Sequence, residues 1–374
     1  MHIILVGNNS DSMLNFRGSL VRNLMAVGHR VTVVCPSDAN SSKLLNKLGC
    51  DFLPIKLSPK GINPLQDIAL FVSLVVAFRK AKPDLIINYT IKPVIYGSLA
   101  SAFCSAKCVS VTTGLGYVFI NENIVSRIAR LLYKVSLNFS SKVCFLNACD
   151  KEEFLKSGII PKHKAFILPG EGVDLDHFSP TYMAPERRGG NSSHFTFIMI
   201  ARALKDKGVF EYINAARKAI KVNEGVRFLF LGELGAANPS AVSKAEFLDF
   251  VAEGVVEYLG VADDVRPYIS AADCVVLPSY REGLSRVLLE AAAMCKPIIS
   301  SDAPGCTDVV LNGVNGFQVP VGDADGLFEA FLKIASFSEK ERAEMGRKGR
   351  KLVLDMYSDE IVFQKYLSLF KGLE

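Results

Sequence analysis

The sequence has no tryptophan, only five histidines, and no CxxC pair among its nine cysteines. The histidines are scattered, so no two of them have the spacing of a metal site or of a catalytic triad. The cysteines lie mostly within apolar runs, which is typical of buried, reduced thiols and argues against a disulfide framework. We therefore expect a cytoplasmic protein without a structural metal site.

Long hydrophobic runs are also missing. The most apolar stretch, IALFVSLVVAF at 68–78, lies between Asp67 and Arg79 and is too short to span a bilayer. The first residues, MHIILVG, are typical of a strand and lack the basic segment of a signal peptide. With 374 residues, of which 49% are hydrophobic, the chain is expected to be soluble, or at most bound to a membrane surface, and to form two domains of about 180 residues each.

Positive charge is concentrated in the first half. Residues 1–180 contain 20 Lys/Arg and 12 Asp/Glu, a net charge of +8, whereas the remainder contains 23 and 26, a net charge of −3. A basic half favours an anionic partner such as a membrane surface, a phosphorylated acceptor or nucleic acid, although a solvated basic face has the same signature. The helix predicted around 123–142 carries Arg127, Arg130 and Lys134 among apolar residues. It either rests on an anionic membrane or packs its apolar side into the domain core.

Apolar strand patterns alternate with helical patterns in two series. The first series of predicted strands occupies 2–7, 30–35, 51–57, 84–89, 107–113, 142–147 and 165–169, and the second occupies 195–201, 227–232, 256–260, 274–278 and 297–301. Strands that alternate with helices predict a parallel sheet covered on both faces. The sequence therefore predicts an α/β protein with two Rossmann-like, doubly wound domains.

The domain boundary is expected at the unstructured segment GGNSSH (189–194). We expect an N-terminal domain at 1–185 and a C-terminal domain at 195–357. The final helices, roughly 339–371, are expected to pack back on the first domain, with the last helix at about 358–374. Two such domains would face each other across a cleft, with ligands bound beyond the carboxyl ends of the strands.

The most informative segment is PSYREGLSRVLLEAA at 278–292. It follows a buried strand and predicts a helix with Ser285 as its N-cap, so Glu282 would lie in the turn beside the free N–H groups of the helix. Those groups favour an anion such as a phosphate. Glu290 would lie about 7 Å further along the helix axis. Two carboxylates in this arrangement suit a sugar attached to a nucleotide, since carboxylates accept hydrogen bonds from hydroxyl groups.

Two cations are predicted at the same edge of the second sheet. Arg202 directly follows the strand at 195–201, and Lys207 lies five residues later in RALKDKG. Such side chains can neutralise a diphosphate and stabilise it as it leaves. Taken alone, the segment is equally typical of an ordinary basic loop.

Together these segments resemble the retaining glycosyltransferases of family 4. The resemblance rests on Arg202 with Lys207-Gly208, on PS-x-x-EG…E from 278 to 290, and on PGCTDVV…NGF (304–317). GHRVTVV (28–34) and GEGVDLDHF (170–178) extend it over nearly the whole chain. MLNFRGSLVRNL (13–24), NYTIKPVIYGSLAS (88–101) and TTGLGYVF (112–119) are similar to a bacterial subgroup that builds lipid-linked oligosaccharides, capsules or O-antigens.

The resemblance implies the GT-B fold and a role for each matching residue. Glu282 would contact the transferred sugar as the catalytic carboxylate, Glu290 would bind the ribose, and Arg202 and Lys207 would hold the diphosphate. The remaining donor-site residues implied are Gly283, Leu284 and Ser285, through backbone amides, and Gly18 at the start of the first helix. The family needs no metal or other cofactor, and the leaving phosphate takes the acceptor proton. We therefore expect a cytoplasmic enzyme, peripheral on the inner face of the membrane, that uses a UDP-sugar and a polyprenyl-diphosphate-linked saccharide and no nucleic acid.

Acceptor contacts are expected from the first domain. Candidate residues at predicted strand ends or in loops are Arg17, Asn88, Lys92, Tyr96 and Tyr117. Arg17 and Lys92 could meet an acceptor diphosphate, or they could be ordinary loop or capping residues. Many family members have a histidine near the donor sugar, but TTGLGYVF has none. That contact is either lost or made by Thr113, Tyr117 or the backbone.

Some motifs are assigned no role, and alternative functions remain. Asp174-Leu175-Asp176 and Asp323-Ala324-Asp325 have the D-x-D form of metal-binding glycosyltransferases, but here they are interpreted as structural, the second as a helix cap. Alternatives to a glycosyltransferase are a related nucleotide-sugar epimerase, a phosphorylase, or a non-catalytic nucleotide-sugar binding protein. Acceptor-dependent release of UDP would distinguish the transferase from all three.

Overall fold

The chain forms two compact units. In the computed structural model the described residues are 1–38, 41–57, 63–115, 124–182, 194–236 and 238–373, with the side chains of 42–45 excepted. The first unit comprises Met1–Gly172 with Asp359–Glu374, and the second comprises Val173–Ser358. The first unit thus ends before the expected boundary at 185. Val173 donates its N–H to the Tyr357 carbonyl at 3.0 Å and Phe178 packs in the second core, so this segment belongs to the second unit. Most of the predicted linker, 189–193, lies outside the described residues.

The first unit contains a parallel sheet of seven strands in its described part. The strands are β1 (His2–Val6), β2 (Arg30–Cys35), β3 (Asp51–Pro54), β4 (Leu85–Tyr89), β5 (Lys107–Thr112), β6 (Lys142–Phe145) and β7 (Ala165–Ile167). Their order is β3-β2-β1-β4-β5-β6-β7. The central strands β1 and β4 are almost wholly buried, which explains their uninterrupted apolar sequences.

Helices connect these strands. They are α1 (Ser10–Ala26), α2 (Ser41–Leu48), α3 (Pro64–Ala81), a π-helical turn (Pro93–Gly97) that continues as α4 (Ser98–Ser101), α5 (Ile124–Ser136) and α6 (Ala148–Lys156). The Asn9 side chain accepts a hydrogen bond from the Ser12 N–H and caps α1. The helix therefore begins well before the expected start near Gly18. Asn63 caps α3 in the same way, and Pro64 occupies its first position.

The second unit contains a six-stranded parallel sheet among its described residues. Its strands are β8 (Phe195–Ile200), β9 (Val226–Leu231), β10 (Glu257–Tyr258), β11 (Cys274–Leu277), β12 (Ile298–Ser301) and β13 (Gly316–Val319), in the order β10-β9-β8-β11-β12-β13. Its helices are α7 (Val209–Val222), α8 (Lys244–Ala252), α9 (Arg266–Ala271), α10 (Arg286–Ala293), α11 (Ala324–Ser336) and α12 (Glu339–Met356). The expected strands are confirmed, whereas β13 was not expected.

The last helices divide between the units. Helix α12 belongs to the second unit, where it packs on α10, so the expectation that all of 339–371 returns to the first domain is wrong. Only α13 (Asp359–Lys371) belongs to the first unit. The Tyr366 hydroxyl lies 3.0 Å from the Tyr89 hydroxyl at the end of β4, which fixes α13 against the sheet. Among the described residues, no helix is both long and apolar enough to cross a membrane.

Candidate functional site

The candidate donor site lies at the carboxyl edge of the second sheet. β8 and β11 are neighbours there, and the chain order reverses between them. Ligands of doubly wound sheets bind at such a reversal, because the loops that follow the two strands diverge and leave a crevice. The loop after β8 carries Arg202 and Lys207, and the loop after β11 carries Glu282. The topology thus brings together the two segments that the sequence singled out.

Hydrogen bonds and a close contact at a glycine hold the two loops together. The Tyr280 N–H donates to the Asp206 carbonyl at 2.9 Å, and the Ser279 hydroxyl donates to the same oxygen at 3.1 Å. Gly208 adopts a left-handed conformation, with φ of +77°, and a Cβ atom there would lie 2.1 Å from the Pro278 carbonyl oxygen. Only glycine allows this approach. Gly208 therefore holds the β8 loop against the β11 loop.

Glu282, the predicted catalytic carboxylate, forms an ion pair with Lys207, which is predicted to bind the diphosphate. The Lys207 ammonium donates to the Glu282 carboxylate at 2.5 Å, and the two side chains are 21% and 14% exposed. An ammonium has three donors, so Lys207 can keep this bond and donate another to a phosphate oxygen. The arrangement can therefore place a carboxylate beside a sugar and a cation beside its phosphate.

A third loop, which follows β12, accepts hydrogen bonds from the backbone on both sides of the turn that carries Glu282. The Glu282 N–H donates to the Pro304 carbonyl at 3.0 Å, and the Ser285 N–H donates to the Gly305 carbonyl at 3.1 Å. Gly305 has a φ of +78°, and a Cβ atom there would lie 2.5 Å from the Glu282 carbonyl oxygen. Asp308 accepts the Gly305 N–H at 3.1 Å, and burial raises the pKa of the Asp308 carboxyl. Sequence reasoning gave Gly305 and Asp308 no role, although the PGC motif contains this glycine.

Ser285 occupies the N-cap position of α10, as predicted, although its side chain makes no capping hydrogen bond. Gly283 and Ser285 are buried, and Leu284 packs against the core. Glu290 lies one turn into the helix and is 8% exposed. It accepts a hydrogen bond from Arg286 at 2.8 Å. Burial raises the pKa of Glu290, and the neighbouring Arg286 opposes that shift.

Arg202 differs from the other predicted donor-site residues because it is exposed. No ion pair or side-chain hydrogen bond of Arg202 occurs within the described part of the chain. Its guanidinium is therefore available to an anion at the carboxyl end of β8. The structure brings Lys207 and Glu282 into contact, and it places Arg202 on the exposed surface at the same edge of the sheet.

Asp323 caps α11 by accepting the Gly326 N–H at 2.8 Å, as expected from the sequence. Asp174 accepts backbone N–H groups from Asp176 and His177 at 3.1 and 2.9 Å. The first aspartate of each D-x-D motif thus accepts hydrogen bonds from the local backbone.

In the first unit, Arg17 is buried and paired. Its guanidinium donates to Glu171 at 2.7 Å and lies 4.6 Å from the centre of the Tyr89 ring. Its side chain is 4% exposed, so an acceptor diphosphate does not reach it in this arrangement. The structure thus gives Arg17 a partner 154 positions away that the sequence did not indicate, and its contact with the acceptor stays a prediction.

Gly18 and Asn88 are also placed differently from the expectation. Gly18 lies buried in the middle of α1, where a Cβ atom would lie 3.4 Å from Leu48 at the end of α2, an ordinary van der Waals contact. Asn88 is fully buried. A Cβ atom at Gly97 would lie 2.2 Å from the Asn88 amide oxygen, so the π-helical turn covers this side chain. Neither residue presents a surface to a ligand.

Lys92 and Tyr96 are brought together by a third residue. Lys92 donates to one oxygen of Asp67 at 2.8 Å, and the Tyr96 hydroxyl donates to the other at 2.9 Å. Burial and the bond to Asp67 raise the pKa of Tyr96. The two predicted acceptor residues thus form a cluster with Asp67, which the sequence did not indicate as a partner. Tyr117 lies outside the described residues.

Comparisons with known proteins agree with this arrangement. Residues 2–147 match the family model described as glycosyl transferase 4-like, and residues 194–336 match that of glycosyl transferases group 1. The chain is 28% identical, over 99% of its length and 98% of the relative, to the N,N'-diacetylbacillosaminyl-diphospho-undecaprenol alpha-1,3-N-acetylgalactosaminyltransferase of Campylobacter jejuni. It is 26% identical, over 74% of its length and 72% of the relative, to the UDP-Gal:alpha-D-GlcNAc-diphosphoundecaprenol alpha-1,3-galactosyltransferase of Escherichia coli.

Solved structures share the fold. Sucrose-phosphate synthase from Thermosynechococcus elongatus has a TM-score of 0.84 at 19% identity and covers 100% of this chain and 99% of its own. Anabaena HepE in complex with UDP-glucose has a TM-score of 0.80 at 18% identity and covers 100% of both chains. The two family models match both halves of the chain, and both halves have the expected parallel sheets. The chain therefore belongs to the family 4 glycosyltransferases and has the GT-B fold.

Proposed function

We propose that this glycosyltransferase moves a hexose or N-acetylhexosamine from a UDP-sugar to a saccharide linked to undecaprenyl diphosphate, in the biosynthesis of a bacterial surface polysaccharide or glycan. Anomeric configuration is retained, and no metal ion is required. The observation that carries the proposal is the contact between Lys207 and Glu282 at the reversal point of the second sheet.

The donor site supports this chemistry. Lys207 and Arg202 supply positive charge for the diphosphate, and the largely buried Glu282 supplies an acceptor for hydroxyls of the transferred sugar. In the proposed step the bond from the anomeric carbon to the phosphate oxygen breaks while a bond to the acceptor oxygen forms on the same face. The acceptor proton passes to the leaving phosphate oxygen. The protein then acts by positioning both substrates and by stabilising negative charge on the diphosphate.

The acceptor class is supported by the names of the relatives. The two relatives described above, from Campylobacter jejuni and Escherichia coli, are both named for acceptors carried on diphosphoundecaprenol. The first of them spans this chain almost completely, so the same class of acceptor is the best hypothesis for this enzyme. The sugar differs between the two names and is therefore the variable to be screened.

An exposed apolar surface of the first unit, which we propose as the membrane contact, supports a lipid-linked acceptor. Exposed apolar side chains of α5 recur at helical spacing: Ile124, Ile128, Leu131 and Val135. The alternative that this side of α5 packs into the core is therefore wrong. A second stripe on α3, at Leu65, Ile68, Val72 and Val76, is equally exposed. Ile68, Phe103 and Phe139 line one apolar pocket of about 580 Å³, which joins α3 to the turn that follows α5. Exposed cations on α5, Arg127 and Lys134, suit anionic headgroups.

Transfer is tested with purified enzyme, a panel of UDP-sugars and a short-chain polyprenyl-diphosphate N-acetylhexosamine. We expect UDP release that depends on acceptor, and a product whose new linkage has the anomeric configuration of the donor by NMR. Glu282→Ala should abolish transfer while leaving the far-UV circular dichroism unchanged. Activity that persists fully after EDTA treatment is expected for a metal-independent site. Transfer by Glu282→Ala at the wild-type rate would contradict the assignment of this carboxylate.

The membrane surface is tested by sedimentation with vesicles that contain anionic lipids. Leu131→Asp should reduce the bound fraction because it places a charge within the apolar stripe of α5. Val261→Asp, at an exposed apolar position in the second unit, is the matched control and should bind as the wild type does. Equal binding by both variants would place the membrane contact elsewhere.

A further inference from the structure

The first sheet has its own reversal point, between β1 and β4. At the carboxyl edge of these strands lies a cleft of about 310 Å³. Its lining includes Asn8 after β1, Thr90 after β4, and Thr112 and Thr113 at the end of β5. This volume is at the small end of the range for ligand pockets, about 300–1,000 Å³. The walls therefore offer hydroxyl and amide groups to a small ligand.

Charge in this cleft is neutralised. Lys92, the charged residue among those that line it, donates to Asp67. Neutral hydroxyl and amide groups recognise sugar hydroxyls better than they recognise a diphosphate, which requires free cations. The cleft thus suits an uncharged saccharide.

Thr90 is the unusual residue of this cleft. Its φ is +68°, in the left-handed region, although a β-branched residue is disfavoured there. Its hydroxyl oxygen is inaccessible to solvent and has no hydrogen-bond partner in the described part of the protein. The Thr90 carbonyl accepts the Val94 N–H at 2.9 Å, at the point where β4 passes into the π-helical turn. Strained backbone and π-helical segments are both concentrated at functional sites.

We propose that Thr90 is a specificity-determining residue for the acceptor and that its hydroxyl binds the saccharide attached to the lipid diphosphate. The inference rests on the proposed function. A rotation about the Cα–Cβ bond turns the hydroxyl from its unpartnered position toward the cleft that Thr90 already lines. A sugar hydroxyl or acetamido group there then supplies the missing partner. Thr90 thus combines a strained backbone, a hydroxyl without a partner among the described residues, and a position in the wall of the cleft.

The test compares Thr90→Val with Thr112→Val. The Thr112 hydroxyl donates to the Cys144 carbonyl at 2.9 Å, so its removal should lower the melting temperature. Thr90→Val removes a hydroxyl that has no partner in the described part of the protein, so its melting temperature should stay equal or rise. It should nevertheless lower kcat/KM for the acceptor at least tenfold, mainly through KM, and leave the Kd for UDP unchanged. Thr90→Ser should recover part of the loss.

Two further results bear on the proposal. An acceptor kcat/KM for Thr90→Val within twofold of the wild type would overturn it, and so would a fall in melting temperature with weaker UDP binding, which indicates a structural role. Binding of the polyprenyl-diphosphate saccharide is also measured without donor. If the wild type binds this saccharide and Thr90→Val does not, the inference about Thr90 stands. Failure of every UDP-sugar to support transfer would then count against the proposed function but not against this inference. Equal binding by both proteins would overturn the inference.

Discussion

The pair of Lys207 and Glu282 allows a prediction that separates donor binding from catalysis. Lys207→Met keeps most of the aliphatic side chain and removes the ammonium from a carboxylate that is only 14% exposed. Hydrogen bonds to charged groups contribute about 1.5–3 kcal/mol, and the remaining solvent contact reduces this value. We therefore expect Lys207→Met to lower the free energy of unfolding by about 1–2 kcal/mol.

The same variant should weaken UDP binding. If Lys207 also donates to the diphosphate, its loss should raise the Kd for UDP by about 10–100-fold, which corresponds to about 1.4–2.7 kcal/mol. Glu282→Gln should leave this Kd nearly unchanged, because a carboxylate does not attract a diphosphate, but it should greatly reduce transfer. The double variant should be more stable than the sum of the single effects predicts, by about 1 kcal/mol, since the pair is in direct contact.

Isothermal titration calorimetry measures the UDP affinity, and urea unfolding followed by far-UV circular dichroism measures stability in a chain that has no tryptophan. Lys218→Met is the matched control, because Lys218 pairs with Asp325 on the exposed surface of the same unit. Such pairs contribute about 0–1 kcal/mol, so this control should retain its stability and its UDP affinity. An unchanged UDP Kd for Lys207→Met would refute the assignment of Lys207 to the diphosphate.

Three further predictions concern the second unit. Gly305→Ala should reduce transfer strongly and should lower stability more than Gly313→Ala does. Both glycines have a positive φ, but only Gly305 lies against the Glu282 backbone. Thermal unfolding measures the stability of both variants, and a transfer assay measures their activity. Because the pKa of Glu290 is raised in the folded protein, its protonated form contributes stability at low pH, and this stability is lost as pH rises above the ordinary range of a glutamate. The melting temperature of Glu290→Gln should therefore rise relative to that of the wild type as the pH is increased from about 4 to 7. A melting-temperature difference between the two proteins that stays constant over that pH range would contradict a raised pKa of Glu290. Arg202→Ala should weaken UDP binding in calorimetry without loss of stability, because its side chain is exposed; equal affinity would remove Arg202 from the donor site.

The features that the sequence predicted well are those set by local patterns. The apolar runs predicted as strands formed parallel strands, and the central ones, such as β1, β4 and β11, are buried. Ser285 was placed at the start of α10 because the Ala- and Leu-rich segment after it is a strong helix former. Arg202, Lys207 and Glu282 follow strands that proved to be neighbours, and a parallel sheet gathers all its carboxyl ends at one edge. The sequence therefore sufficed to predict that these three residues lie at one edge of the second sheet.

The features that the sequence did not reveal depend on contacts between distant positions. Nothing near Arg17 indicates that Glu171 neutralises it, and nothing near Lys92 indicates its bond to Asp67. These pairings decide whether a cation is available to an acceptor. The burial of Asn88 likewise depends on the π-helical turn above it, which no periodicity predicts. Strand β13 was not expected because its sequence, GFQV, begins with glycine and has a glutamine between its two apolar residues, so it shows no continuous apolar run.

The two sheets solve the same steric problem in different ways. Near the reversal point of the second sheet, the left-handed position is occupied by Gly208, where a side chain would collide with the Pro278 carbonyl. At the reversal point of the first sheet, the left-handed position is occupied by Thr90. A left-handed conformation costs an L-residue about 1–2 kcal/mol, and glycine would avoid this cost. The Thr90 hydroxyl finds no partner among the described residues, so no hydrogen bond of this hydroxyl there offsets that cost. On the proposal made above, a hydrogen bond from the hydroxyl to the acceptor would offset it, which is why we attribute the strain at Thr90 to substrate recognition.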